Sequence, residues 1–166
     1  MNALTPRYSA NQPPKPFLPI SPEGMAKALR MFSNVAPVSE FTPLMAEVDA
    51  ERMIATVDAY LQPCSVEQAA SLVIELFASY PQLLAQKSSA DSKAAQDFKF
   101  YTAKVNQAFA KFSYGIGKRA VHAADGIPGQ VAYKPQPSDI VSFANKEIAK
   151  LQNVKTMAIR HLDEHR

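Results

Sequence analysis

Cysteine is nearly missing from this chain: among 166 residues only Cys64 carries a thiol. No intrachain disulfide can form and no thiolate cluster is available to zinc, which suits a reducing, intracellular setting. The lone thiol reads as a small apolar side chain. Long apolar runs are missing too, since no window approaches the roughly 20 apolar residues of a membrane span. The first residues lack a charged start followed by an apolar run and a small-residue cleavage site. The expectation is a cytoplasmic protein that makes no membrane contact. Glycine is scarce, five residues against thirteen prolines. The prolines cluster at Pro6, Pro13, Pro14, Pro16, Pro19 and Pro22 and then recur singly, as punctuation between helices.

What is present is helical periodicity and an uneven charge. An apolar content of 47% in this length allows one domain with a real core. Residues 1–90 hold six Lys and Arg against eight Asp and Glu, whereas residues 91–166 hold twelve against seven, so the basic half is the second. Such asymmetry fits a nucleic-acid or acidic-protein partner, and equally an ordinary solvated surface.

The strongest helical signal covers residues 91–112. Phe98, Tyr101, Val105, Ala108, Phe109 and Phe112 fall at steps of three and four and line one stripe. The opposite side carries Lys93, Asp97, Phe100, Lys104, Gln107 and Lys111, a basic face with one aromatic in it. The other elements are read as covering the first face or extending the second.

Residues 1–20 lack apolar periodicity and read as a flexible Pro-rich tail, in which Phe17 and Leu18 follow a polyproline-like run. Ser21, Pro22 and Glu23 start a short helix whose stripe is Met25, Ala28, Leu29 and Phe32, so residues 21–36 form a short helix and linker. A helical domain then occupies residues 40–166. Thr42 and Pro43 start a helix whose apolar positions are Leu44, Met45, Val48, Ile54, Val57 and Leu61, with Asp49 as an alternative restart. Ser65 and Gln68 form a capping box, and Val66, Ala69, Leu72, Val73, Leu76, Phe77 and Tyr80 make the inner face up to Pro81. A further turn through Leu83 and Leu84 can precede the link at 87–90. Gly115 is read as the end of the organising helix, followed by a short helix with Ile116, Ala120, Val121 and Ala124 inward. Residues 125–137 form a connection with Ile127, Val131 and Tyr133 as anchors. From Ser138 a last helix places Ile140, Ala144, Ile148, Leu151, Ala158 and Leu162 inward, its final turns projecting past Val154. The class is all-α, a small bundle of about five to six helices.

Catalytic chemistry has little to stand on. The ATPase phosphate loop requires glycine and Ser or Thr where Phe112 and Arg119 flank the Gly117–Lys118 pair. No serine lies in a nucleophile elbow, and Cys64 has no basic neighbour to activate it. His161 and His165 have metal-ligand spacing, but zinc needs three or four ligands. The residues therefore imply no catalytic group, cofactor or metal. Lys93, Lys104, Lys111, Lys118 and Arg119, with Phe100 and Tyr114 among them, are the candidate contact face: lysines for phosphates, rings for unpaired bases. A solvated helix face has the same pattern.

Tyr80 and Pro81 ending an amphipathic helix, the aromatic helix with Tyr101 and Val105, the run Gly117, Lys118, Arg119, Ala120 and Val121, and the exit Pro135, Gln136, Pro137, Ser138, Asp139 and Ile140 resemble the helical domain of phage replicative helicase loader or inhibitor proteins. The resemblance covers about half the chain. The Pro-rich arm precedes the helical domain here, whereas the family carries its flexible helicase-contacting part after it. The resemblance implies a non-enzymatic adaptor that binds a replicative helicase or an origin-bound protein. Phe17, Leu18, Met25, Leu29 and Phe32 then form the docking segment. Lys104, Lys111, Lys118 and Arg119 form a polar contact face. Direct DNA binding and self-assembly are the rival readings.

Overall fold

Ser65 and Gln68 exchange hydrogen bonds across the start of a helix, as their spacing predicts: Ser65 N–H donates to Gln68 Oε1 at 2.8 Å and Gln68 N–H to Ser65 Oγ at 3.2 Å. The computed structural model describes residues 45–87 and 92–165, and the expected tail, the helix at 21–36 and the start signal at Thr42 and Pro43 lie outside the described residues. The described chain is all-α: α1 (Glu47–Tyr60), α2 (Val66–Ala78), α3 (Pro81–Lys87), α4 (Ser92–Phe109), α5 (Tyr114–Ala120), α6 (Ile127–Gln130) and α7 (Pro137–Asp163). Among the described residues there is no strand. The count exceeds five to six because Leu83 and Leu84 lie in a separate short helix and the 125–137 connection contains one helical turn.

Helix α1 runs unbroken through Asp49, which with Glu47 sits in its first turn facing the positive helix end. Its inner face is Ala50, Met53, Thr56, Val57 and Tyr60. Of the expected stripe Val57 is buried, Val48 is exposed, and Met45, Ile54 and Leu61 only edge the core. The helix is turned this way because α7 covers that side, and Thr56 satisfies its hydroxyl by donating to Arg52 O at 2.8 Å. In α2 the expected residues from Ala69 to Phe77 are buried, as is Tyr80 beyond it, but Val66 is 72% exposed.

Phe77 of α2 stacks on Tyr101 of α4 with ring centroids 5.6 Å apart, and on Phe98 at 5.7 Å, tilted. Each such pair adds about 0.5–1.5 kcal/mol beyond area burial. The organising stripe holds through Phe109, with Phe112 half-buried against a second cluster. The helix stops there without help from Gly115. Ser113, in extended backbone, accepts from Ile116 N–H and starts α5, so Gly115 lies inside the next helix. Ile116, Ala120 and Val121 point inward, while Ala124 is exposed.

In the connection Ile127 is buried, Val131 half-buried and Tyr133 81% exposed, so Tyr133 anchors nothing within the domain. Two other tyrosines hold this segment: Tyr80 Oη donates to Val131 O at 2.8 Å and Tyr101 Oη to Pro135 O at 2.6 Å. Burial pushes both phenol pKa values up, Tyr101 the further, with added repulsion from Asp139 at Tyr80 and from Tyr80 and then Asp139 at Tyr101.

Helix α7 begins at Pro137, one residue before Ser138; Gln136 N–H donates to Asp139 Oδ2 at 2.6 Å. It is 27 residues long, about 40 Å at 1.5 Å per residue. Its last turns do not project: Val154, Ala158 and His161 are buried, and α1 packs along them in the opposite sense. Ile148 and Leu162 are only half-buried. Two apolar clusters result. Ile140 and Phe143 join α2, α3 and α4, whereas Ala144, Leu151, Val154 and Ala158 join α1 and Ile116. Both α7 and the short α5, through Ala120 and Ile116, reach into the two clusters, whereas the aromatic helix that the periodicity singles out belongs to the first.

Candidate interaction surfaces

The basic face is divided by the fold. Lys93, Lys104 and Lys111 lie exposed along the outer side of α4 and just past its end. Phe100 is 64% exposed among them, and Lys104 Nζ sits 4.4 Å over its ring centre, a cation–π contact that holds the lysine across the aromatic surface. Lys118 and Arg119 belong elsewhere. They sit on α5 between two neighbours and are drawn to acids on either side: Lys118 Nζ to Glu75 Oε2 at 2.6 Å, Arg119 Nη1 to Glu147 Oε2 at 2.9 Å. Tyr114 is half-buried against the first core cluster.

Glu147 was not among the expected inward residues of α7, yet it is only 4% exposed. Lys150 reaches its Oε1 at 2.6 Å, while Arg119 lies beside Oε2 without an aligned hydrogen bond. A carboxylate held this deep needs both cations, because an unpaired buried charge costs several kcal/mol. The signal available in the sequence was Glu147 itself, at the inward spacing of Ile140, Ala144 and Leu151, four residues before Leu151.

A second surface is apolar. Val66, Ala70, Ile74 and Ala78 follow at steps of four along the outside of α2, all exposed, with Val66 72% and Ile74 71% open. Rows of this spacing are the ridges by which helices pack. Glu67 and Glu75 flank the ridge; the hydroxyl of Ser65, at 2.7 Å, holds the Glu67 carboxyl below the ordinary carboxylate range. Two aliphatic side chains left open next to alanines form a surface to which another helix can approach closely.

The histidines are placed by hydrogen bonding. His122 is exposed, accepts from Asp125 N–H at 3.3 Å and lies 3.7 Å from the Asp125 carboxylate. His161, 2% exposed, accepts the Met45 N–H at Nδ1 over 3.1 Å, and His165 donates from Nε2 to Met45 O at 2.7 Å. The spacing that looks like metal ligation grips one backbone unit ahead of α1. Among the described residues, no three His, Cys, Asp or Glu side chains are grouped so as to hold a metal ion, and no helix is long and apolar enough to cross a membrane.

Cys64 is half-buried where the α1–α2 connection meets the end of α4. Its N–H donates to Phe112 O at 2.9 Å, its thiol lies 3.5 Å from Phe109 O, and burial pushes its pKa up. The docking residues Phe17, Leu18, Met25, Leu29 and Phe32 lie outside the described residues.

The described residues form an all-α bundle with two outward faces, one apolar and one basic. Compared with protein-family models, curated proteins and solved structures, the chain matches none.

Proposed function

We propose that the protein is a non-enzymatic adaptor that binds a protein partner of DNA replication, a replicative helicase or an origin-bound protein, as its resemblance to phage helicase loaders and inhibitors implies. The observation that carries a protein partner over DNA is the open ridge of Val66, Ala70, Ile74 and Ala78, since exposed aliphatic rows mark protein contacts. Phe17 and Leu18 of the Pro-rich segment, with Met25, Leu29 and Phe32, supply a second docking element. Action is by mass action through contacts, without bond-making chemistry.

Binding of the full chain to a purified hexameric replicative helicase, followed by calorimetry, tests this reading. Val66→Ser with Ile74→Ser, and separately deletion of residues 1–33, should each weaken binding tenfold or more, about 1.4 kcal/mol. Undiminished binding in both variants, or no binding by the intact chain at micromolar concentration, overturns it. Concentration-dependent self-association lost with the same ridge variants would favour an assembly protein instead.

Direct DNA binding is the second reading, favoured by the exposed Phe100 with Lys104 over it and by Lys93 and Lys111 on the same side. Lys118 and Arg119 are directed to Glu75 and Glu147 instead. Single-stranded DNA affinity that falls steeply with salt, and falls again in Phe100→Ala, would support it.

A further inference from the structure

We draw no further inference here: the strongest candidate, the open ridge of Val66, Ala70, Ile74 and Ala78 along the outer side of α2, already carries the proposed function, and nothing among the described residues shows what covers it.

Discussion

Gly117 of α5 lies against Leu72 of α2 so closely that a β-carbon at 117 would fall inside the van der Waals envelope of the Leu72 Cδ1 methyl. Leu72 is fully buried, so its methyls have little room to give. Gly117→Ala should therefore destabilise the protein by about 1–3 kcal/mol, even though alanine's helix propensity returns about 1 kcal/mol. Chemical denaturation gives the value. In a Leu72→Ala background the same change should cost less, and a double-mutant cycle showing no coupling would contradict the close approach.

The two cations of α5 should differ. Lys118 and Glu75 are each about one-third exposed, so Lys118→Ala should change stability by about 1 kcal/mol or less. Arg119→Ala leaves Glu147 buried with Lys150 alone and should cost about 2–4 kcal/mol, with Arg119→Ala/Glu147→Gln recovering part of it. Equal losses on urea denaturation would contradict the difference in burial.

Tyr101→Phe leaves the Pro135 carbonyl without its buried donor and should cost about 1–2 kcal/mol. The pKa of this phenol is raised in the folded state. Its contribution is therefore complete below the ordinary tyrosine value near 10 and is lost as pH rises beyond it, through the folded value. Denaturation between about pH 9 and 11 should show stability falling with pH, less steeply in Tyr101→Phe. Parallel slopes would assign the alkaline loss to other groups.

Cys64 should react slowly. Burial disfavours its thiolate, and the side chain faces the end of α4, so a disulfide reagent near pH 8 should modify it at least several-fold more slowly than free cysteine. A faster rate would mean that this connection opens.

Much of the bundle was legible because helix starts and apolar stripes are local. The Ser65 capping box, the inner faces of α2 and α4 and the short helix through Leu83 each depend on residues within a turn or two of one another. The misses have a different origin. Val48 and Ile54 have the right spacing for an inner face, but Ala50, Met53 and Tyr60 are what α7 covers, and a helix with two mixed stripes does not say which one will meet a partner. The basic face looked continuous because Lys118 and Arg119 follow the lysines of α4 in order; Glu75 and Glu147, 43 and 28 positions away along the chain, decide where those two point.

The sequence by itself determined the one cysteine, the lack of a long apolar run and the all-α character of the described residues, because composition, capping and helical period act over a few residues. Tertiary structure alone decided that α7 runs along both apolar clusters, that Glu147 is buried between cations, and that His161 and His165 hold Met45. Those outcomes depend on which surfaces are brought into contact across long stretches of chain, and no local pattern records which pairs will meet.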